Sequence, residues 1–329
     1  MDKRPVIIDT DPGIDDAMAI MMMQASGRFD IKGITAVHGN VTLEHTADNA
    51  LYLSELYNID CPVALGARRA LIVSFSNAKE IHGSNGLGGF RYNRPQKSFY
   101  HKKAWELIYE TALACEGELE IFAIGPLTNI AIAALKYPRL KELVKNVVIM
   151  GGAAHSGNVS PYAEFNIRQD PHAASVVLDF GFKNLTMVDL DCCYGAYLTD
   201  QQADRLLILK SPIGPLFESI RFFQRKSLRE LAEKNAGMKE FANDKNVFCD
   251  AAAAAVMIEP DIAKFESYHV FCEAQSLLNF GQTVVDWSGR FNQKPNAALA
   301  RSLDRDWFCK MFFDSVDYYD SERTVRFDG

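Results

Sequence analysis

The feature that most constrains the fold of this chain is a regular alternation of short apolar runs with segments that have helical character. Each apolar run is followed by a loop and then by a segment with helix signals. This alternation predicts an α/β fold, with a mostly parallel mixed central sheet flanked by helices on both faces. The predicted strands of this core are Val6–Asp9, Ile31–Val37, Leu119–Ile124, Asn146–Met150 and Leu185–Asp189.

Helix signals lie between these strands. Thr42 is a candidate N-cap for a helix through Tyr57, and Asp170–Pro171 combines a capping carboxylate with proline at the first helical position. Thr199–Gln202 fits a capping box, and Ser211–Pro212 is predicted to open an amphipathic helix towards Leu231. Further predicted helices are Ala17–Gln24, Leu127–Leu135 and Trp307–Val316, and late strands are predicted at Tyr268–Ala274, Gln282–Ser288 and Asn296–Arg301.

Composition narrows the class of protein. The 329 residues are 48% hydrophobic, and the net charge is 35 − 42 = −7, which favours neither a nucleic acid polymer nor an anionic membrane as partner. No apolar run reaches the ~18 residues that span a bilayer, and the start of the chain lacks signal-peptide features. Seven scattered cysteines without a CxxC pair favour a reducing, cytoplasmic location. Without a linker or an internal repeat, we expect one domain over residues 1–329.

The stretch from Asp9 to Asp16 has four carboxylates in eight residues. It joins a predicted buried strand to a predicted helix N-terminus. Four acids so close repel one another, and the helix dipole offsets only part of that repulsion. Carboxylate oxygens suit Ca²⁺ or Mg²⁺, and the turn at Pro12–Gly13 would fold Asp11 and Asp16 back towards one such ion.

Two other interpretations of this stretch stay open. The acids cap the helix and solvate the loop in one of them. In the other, Asp9 and Asp11 form the Asp-x-Asp pair of an aspartate-based phosphatase, although Pro12 follows where that pattern usually has Gly-Thr.

A second polar cluster is Glu164-Phe-Asn166. The i, i+2 spacing predicts that Glu164 and Asn166 share one face of an extended segment, with Phe165 on the other. Two convergent polar side chains of this kind favour a wall of a binding pocket.

These motifs and several others, taken together, resemble the inosine–uridine preferring nucleoside hydrolases. The likeness runs along nearly the whole chain. Its stretches, in chain order, are Asp9–Ala17, Val37–Asn40, Ile81–Leu87, Ile124–Asn129, Met150–Gly152, Ala163–Ile167 with Asp170–Pro171, Asp250, and Gly281–Asp286. The resemblance implies hydrolysis of the N-glycosidic bond of ribonucleosides to ribose and free base in nucleoside salvage. It also implies one bound Ca²⁺, a Rossmann-like core, and a homo-oligomer, either a dimer or a tetramer.

The resemblance also implies a role for each matching residue. Asp11 would ligate calcium and act as the general base on a calcium-bound water, and His82 would lie near the base pocket. The other implied calcium ligands are Asp16, Asp250 and the backbone carbonyl of Ile124. The implied ribose contacts are Asp15, Asn40, Asn158, Glu164, Asn166 and again Asp250, with Met150 and Phe165 packed against the sugar.

The chain departs from the best-known branch of that family beside the late aspartate. A histidine there is placed to protonate the leaving base, whereas this chain has Cys249 before Asp250. A thiol with a pKa near ~8.5 is mostly protonated at neutral pH and could donate a proton, but it is a weak hydrogen-bond donor. Cys249 equally suits a space-filling role beside Ala251–Ala255, and the sequence resembles a cysteine-bearing branch.

Three functions therefore compete. A ribonucleoside hydrolase leads. A non-catalytic ribose- or nucleoside-binding protein is the first alternative, in which Cys249 marks lost activation of the leaving group. An aspartate-based phosphatase is the second. Retention of Asp11 argues against a pure binder, because binding does not need a carboxylate that activates water.

Overall fold

A computed structural model describes residues 3–73, 77–234 and 244–321 of the chain. The strands, in chain order, are β1 Arg4–Thr10, β2 Phe29–Ala36, β3 Val63–Leu65, β4 Leu119–Ala123, β5 Val144–Met150, β6 Leu185–Val188, β7 Tyr197–Leu198, β8 Asn246–Val247, β9 Ala263–Tyr268, β10 Val270–Cys272, β11 Thr283–Val285 and β12 Ala297–Leu303.

Thirteen helices in the described ranges connect or flank these strands. They are α1 Ile14–Ala25, α2 Leu43–Leu56, α3 Lys79–His82, α4 Ala104–Ala114, α5 Thr128–Lys136, α6 Leu140–Leu143, α7 Phe165–Gln169, α8 Pro171–Asp179, α9 Leu190–Cys193, α10 Asp200–Ala203, α11 Gly214–Lys234, α12 Cys249–Ile258 and α13 Arg305–Ser321. Two 3₁₀ turns, Asp204–Ile208 and Pro260–Ile262, follow α10 and α12. None of the helices in the described ranges has both the length and the apolarity needed to cross a bilayer.

The main sheet has eight strands in the order β3-β2-β1-β4-β5-β6-β12-β9. Every neighbouring pair is parallel except β12 with β9, which is antiparallel and forms one edge. The chain builds the sheet outwards from β1 in one direction and from β4 in the other. Loops that leave these two strands therefore diverge to opposite sides and open a crevice at their carboxyl ends, which is where parallel sheets bind ligands.

The sheet is covered on both faces. Along β1, Val6 and Ile8 pack into a core with α1, α12 and α13, whereas Ile7 packs into a second core on the opposite face. Both cores are fully buried there, which explains why β1 is apolar at consecutive positions rather than at alternate ones. Burial of each such aliphatic side chain contributes about 1.5–3 kcal/mol.

The predicted α/β class and the mostly parallel mixed sheet are confirmed. Three local predictions are wrong. The strand Ala263–Tyr268 was missed, and the prediction for Tyr268–Ala274 matches only β10. The long helix begins at Gly214 rather than at Ser211–Pro212, because those residues form a turn closed by a hydrogen bond from Gly214 N–H to Ser211 O. The third wrong prediction is the extended segment at Glu164–Asn166, which belongs to the candidate active site described below.

Candidate active site

The acidic stretch begins at the end of β1, in the crevice between β1 and β4. Asp9 and Thr10 are the last polar residues at this end of the strand, and α1 begins at Ile14 after the turn at Pro12–Gly13. Asp16, in the first turn of α1, accepts hydrogen bonds from Gly13 N–H (2.8 Å) and Thr10 Oγ1 (2.5 Å). The carboxylate of Asp16 therefore points back towards the strand, as the turn was predicted to make it do.

Two glycines allow the chain to pack closely around these acids. A Cβ on Gly13 would lie 2.4 Å from Nδ1 of His82, and a Cβ on Gly39 would lie 2.0 Å from Oδ2 of Asp11. Both distances are shorter than van der Waals contact. The glycines of the Asp-Pro-Gly and His-Gly-Asn motifs are thus required by the side chains of the site itself.

Asn40 holds two of the acids in place. Its backbone N–H donates to Oδ2 of Asp11 at 2.7 Å, and its side-chain Nδ2 donates to the backbone oxygen of Asp11 at 3.1 Å and to Oδ2 of Asp16 at 3.0 Å. The loop after β2 therefore fixes the loop after β1, as expected for neighbouring strands whose carboxyl ends share one edge.

Three carboxylates converge within this edge. One oxygen each from Asp15, Asp16 and Asp250 lies within 4.8 Å of the other two. Asp250 comes from the first turn of α12, whose buried face packs against α1. The structure thus brings the late aspartate to the N-terminal acidic stretch, more than two hundred residues away in the sequence.

Burial and mutual repulsion raise the pKa of Asp11, Asp16 and Asp250. Desolvation is the main cause for Asp11, whose pKa lies well above its usual value and is raised further by the charge of Asp16. Asp16 has its pKa raised to about 7, by burial first and then by Asp15. Asp250 is raised well above its usual pKa by burial and by the charges of Asp15, Asp16 and Asp11. Without a positive charge nearby, burial and repulsion shift Asp11 and Asp250 towards the protonated form.

The residues fit a hard divalent cation. The donors are all oxygen atoms, and Oδ1 of Asp11 is buried without a hydrogen-bond partner. Within the described ranges, the ion pairs place no lysine or arginine against these four carboxylates, and the nearest basic group is His82, 4.0 Å from Asp15. A cation that takes 6–8 oxygen ligands would use the unpartnered atom and offset the repulsion.

Ile124, Met150 and Asn166 also meet at this edge. Nδ2 of Asn166 donates to the backbone oxygen of Ile124 at 3.1 Å, to the backbone oxygen of Met150 at 3.2 Å, and lies 3.4 Å from the Met150 sulfur. Ile124 directly follows β4 and Met150 ends β5. These contacts bring together three of the residues that the resemblance assigned to the metal and the sugar.

The prediction of an extended Glu164–Asn166 segment is wrong. Phe165–Gln169 is the short helix α7, and Glu164 is its N-cap. The carboxylate of Glu164 accepts from the N–H groups of Asn166 (2.8 Å), Ile167 (3.1 Å) and Gly152 (3.0 Å). Burial raises its pKa to about 7 despite these bonds. Glu164 and Asn166 still converge, because the cap turns the chain at this point.

His82 is buried beside the start of α1. Its Nδ1 accepts the N–H of Ile14 at 3.1 Å, so a neutral ring places its proton on Nε2. Burial lowers the pKa of His82, and Asp15 raises it by less. The imidazole is therefore neutral at neutral pH and presents an N–H donor on its far side.

Cys249 is half-buried at the first position of α12, next to Asp250. Tyr194, which follows α9, lies close enough to interact electrostatically with Cys249 and Glu164. Tyr194 and Thr10 are residues of this edge that the sequence analysis missed. The available signal for Thr10 was its position at the end of β1, because residues at such ends line the ligand crevice. Tyr194 is separated from β6 by α9 and had no such signal.

Two predicted sugar contacts lie further from the hydrogen-bonded group. Asn158 is exposed in the loop before α7, and its backbone N–H donates to Ala163 O at 3.1 Å. Phe165 is half-buried at the start of α7.

Comparison with known proteins identifies the family of this chain. Residues 6–310 match the family model described as inosine-uridine preferring nucleoside hydrolase. The chain is 34% identical over 311 residues to the non-specific ribonucleoside hydrolase RihC of Salmonella newport (strain SL254), with 93% of this chain and 97% of that protein aligned.

Two solved structures are similar over nearly their whole length. A plant nucleoside hydrolase, the PpNRh1 enzyme, has a TM-score of 0.86 and 28% identity, covering 96% of this chain and 99% of that one. A purine-preferring ribonucleoside hydrolase from Gardnerella vaginalis has a TM-score of 0.88 and 26% identity, covering 97% and 100%. The chain therefore belongs to the inosine-uridine preferring nucleoside hydrolase family.

Proposed function

We propose that this chain hydrolyses the N-glycosidic bond of ribonucleosides to ribose and a free base, using the acidic cluster at the ends of β1 and β4. Membership of the family makes the chain a ribonucleoside hydrolase. The observation that carries the mechanism is the convergence of four acids, Asp11, Asp15, Asp16 and Asp250, in a buried crevice without a paired lysine or arginine among the described residues.

The cation proposed for this cluster is Ca²⁺. Asp16 and Asp250 would bind it together with Asp11 and the backbone oxygen of Ile124. Asp15, whose carboxylate lies within 4.8 Å of those of Asp16 and Asp250, would share it or bind a ribose hydroxyl. When bound, such an ion polarises the oxygen atoms of water and sugar that it touches and lowers their pKa.

Asp11 is the proposed general base. Its Oδ2 is engaged by the N–H of Asn40, whereas its Oδ1 has no hydrogen-bond partner. One lone pair of Oδ1 would face the cation, and the other would accept a proton from an attacking water. The N–H of Asn40 fixes the plane of the carboxylate, so Oδ1 is held in one orientation. A base that is already oriented avoids the entropy of ordering it during the reaction.

The remaining polar groups suit the sugar. Cleavage of a ribosyl C–N bond builds oxocarbenium-like positive charge on the ring, which nearby carboxylates stabilise. We propose that Asp15, Asn40, Asn158, Glu164, Asn166 and Asp250 hold ribose hydroxyls, with Met150 and Phe165 against the ring. A site built around hydroxyl groups penalises substrates that lack one, so 2′-deoxynucleosides should be poor substrates.

Cys249 and His82 are proposed to act on the base. Cys249 is half-buried beside Asp250, and its thiol is the candidate proton donor to the leaving base. Neutral His82 would direct its donor Nε2–H to the side away from Ile14. Together they would replace the histidine that this position holds in the best-known branch.

A reducing-sugar assay tests the proposal. Purified protein with added Ca²⁺ would be incubated separately with uridine, cytidine, inosine, adenosine and guanosine. We expect ribose release by the unmodified protein and none by Asp11→Ala. Asp191→Asn serves as matched control, because Asp191 pairs with His155 outside the cluster and should keep full activity. Loss of activity in both variants would contradict the specific role of Asp11.

No ribose from any nucleoside, in protein shown to hold calcium, would favour the nucleoside-binding alternative. Phosphate release from a nucleotide with Mg²⁺ would favour the phosphatase. Preference among the five nucleosides would define the class of base. The same assay on 2′-deoxyinosine checks the discrimination expected from the hydroxyl contacts.

Three broader proposals accompany this one. We propose a single domain, because one sheet includes strands from Arg4 to Leu303. We propose a cytoplasmic enzyme, since all seven cysteines are free thiols, which a reducing compartment maintains. We propose a dimer or tetramer, which sedimentation velocity would test; a monomer at micromolar concentration would contradict it.

A further inference from the structure

Three cysteine thiols lie together beside Asp250. Cys192 and Cys193 are the last two residues of α9, and Cys249 is the first residue of α12. The thiols of Cys193 and Cys249 are in hydrogen-bond contact, and the Sγ of Cys193 lies 3.7 Å from the backbone oxygen of Cys249. Cys192 interacts with Cys249 electrostatically. Two segments far apart in the sequence thus present thiols to each other.

The three thiols differ in access to solvent. Cys192 and Cys193 are buried, with 1% and 0% of their surface exposed, whereas Cys249 is only half-buried. A small oxidant in the crevice therefore meets Cys249 first. Cys193 is placed behind it, where it can react only with what forms on the sulfur of Cys249.

We propose that Cys249 and Cys193 form a reversible disulfide when the protein meets a peroxide, and that this bond switches off the hydrolase. The first part stands on the thiol contact alone. The second rests on the proposed function.

The disulfide would form in two steps. The Cys249 sulfur attacks a peroxide oxygen, the O–O bond breaks, and Cys249 becomes a sulfenic acid while hydrogen peroxide is reduced to water. The Cys193 sulfur then attacks the Cys249 sulfur, the S–O bond breaks, and a second water leaves with the Cys193 proton. The protein loses two hydrogen atoms, and a dithiol reductant reverses the bond by thiol–disulfide exchange.

Geometry favours Cys193 over Cys192 as the second thiol. Neighbouring residues of a helix point about 100° apart, so only one of the two side chains can face Cys249 directly. The thiol contact identifies that residue as Cys193, whose Sγ also lies 3.9 Å from the backbone oxygen of Val188. A bond between Cys192 and Cys193 would require α9 to unwind, because adjacent cysteines in a helix do not have the geometry of a disulfide.

The crosslink would alter the site in two ways. It would consume the thiol proposed to protonate the base. It would also tie the N-terminus of α12 to α9 and so displace Asp250, the next residue along the chain. Displacements of about 1 Å at a catalytic group cost up to about 10²-fold in rate, so we expect oxidation to lower ribose release by at least tenfold.

The test uses the full-length protein with calcium bound. Protein would be treated with hydrogen peroxide, quenched with an alkylating reagent, and digested under non-reducing conditions for peptide mass mapping. We expect one crosslink, Cys193–Cys249, in the unmodified protein and in Cys192→Ala, and none in Cys193→Ala. Ribose release should fall with crosslinking and return after dithiothreitol in the first two proteins.

Other outcomes would overturn the proposal. One is a crosslink that involves Cys192. Another is oxidation of Cys249 to a sulfinic or sulfonic acid in the unmodified protein without a crosslink. A third is a set of peptide masses that lacks the loss of two hydrogen atoms required for a disulfide. Full ribose release by the crosslinked protein would overturn the proposal that the disulfide switches off the hydrolase. If Cys193→Ala does not fold, peptide mapping of the unmodified protein still shows whether Cys193 and Cys249 form the crosslink. Protein that crosslinks as expected but never releases ribose would contradict the proposed function and leave the thiol pair supported.

Discussion

Asp9 offers a test of how burial affects the stability of this site. It is fully buried at the end of β1, where Oδ1 accepts hydrogen bonds from Thr35 Oγ1 (2.5 Å) and Asn129 Nδ2 (2.8 Å), while Oδ2 has no partner. Desolvation raises its pKa from 3.8 to about 7, and the two hydrogen bonds offset only part of that increase. The folded protein therefore binds a proton at Asp9 that the unfolded chain releases near pH 4.

The sign of the effect follows from linkage. Between 3.8 and about 7 the folded state holds more protons at Asp9 than the unfolded state, so the contribution of Asp9 to stability falls as pH rises through that window. At about 1.4 kcal/mol for each pKa unit, the loss is about 4 kcal/mol once the pH exceeds the folded pKa. Asp9→Asn imitates the protonated form, since its amide oxygen keeps both hydrogen bonds and its N–H₂ takes the unpartnered position.

Urea denaturation at several pH values, in chelator, measures the prediction. The free energy of unfolding of Asp9→Asn minus that of the unmodified protein should increase by about 4 kcal/mol from about pH 4 to about pH 8. Asp60→Asn, at an exposed position, is the matched control and should run parallel to the unmodified protein. A difference for Asp9→Asn that stays constant within about 1 kcal/mol would refute the argument that burial governs this carboxyl.

Three further predictions follow from the site and its supports. Cys249→Ala should lower kcat by about 10²-fold or more if the thiol protonates the base, while Cys249→Ser should retain more activity; a loss for Cys249→Ala of less than about tenfold would show that the thiol only packs. Arg221→Leu should lower the free energy of unfolding by about 3 kcal/mol, because Arg221 is buried and pairs with Asp200, Asp204 and Asn246. The control Arg225→Ala, at a half-buried arginine that pairs with Asp204, should lower it by about 1 kcal/mol or less. Equal losses for the two variants in urea denaturation would contradict this prediction. Calcium added to chelator-treated protein should raise Tm more at about pH 8 than at about pH 6, because carboxyls with raised pKa must lose protons to bind it; a rise in Tm that does not depend on pH would count against a site formed by these acids.

The central sheet was predictable because each of its core strands has a recognisable local sequence pattern. Runs such as Val6–Asp9 are apolar at consecutive positions, and helix signals follow each of them. The strand β9 was not predictable in this way. It lies at the edge of the sheet, with Lys264, Phe265, Glu266 and Ser267 exposed, so it lacks the buried alternation that marks a strand. Charged, exposed edge strands resist pairing with other chains. The same charged residues remove the apolar pattern by which a strand is recognised in a sequence.

The site was predictable in part. The spacing of Asp11 and Asp16 around Pro12–Gly13 indicated acids that fold back towards each other, and the hydrogen bonds to Asn40 bring them together. The approach of Asp250 to Asp16 had no signal in the spacing, because it depends on α12 packing against α1. Only the resemblance to a family pointed to it. Contacts between distant segments follow from the complete fold rather than from local pattern.

The error at Glu164–Asn166 has a similar cause. Glutamate is not among the preferred N-cap residues, so the sequence has no capping signal before α7. The Glu164 carboxylate is nevertheless captured by three backbone N–H groups, one of them from Gly152 after β5. That third bond comes from a different part of the chain and selects the helical turn over the extended segment.

Asp250 reaches the other acids only when α12 packs against α1, so the proposed cation site would be complete only in the fully folded chain. Asp11, Asp15 and Asp16 are synthesised early, whereas Asp250 follows only after more than two hundred further residues, so a growing chain has three of the four acids for most of its synthesis. These three acids without Asp250 would bind a divalent ion weakly. Tight binding of the proposed ion would begin only when the last quarter of the chain docks, and a chain truncated before α12 would have the acidic motif with a much lower affinity.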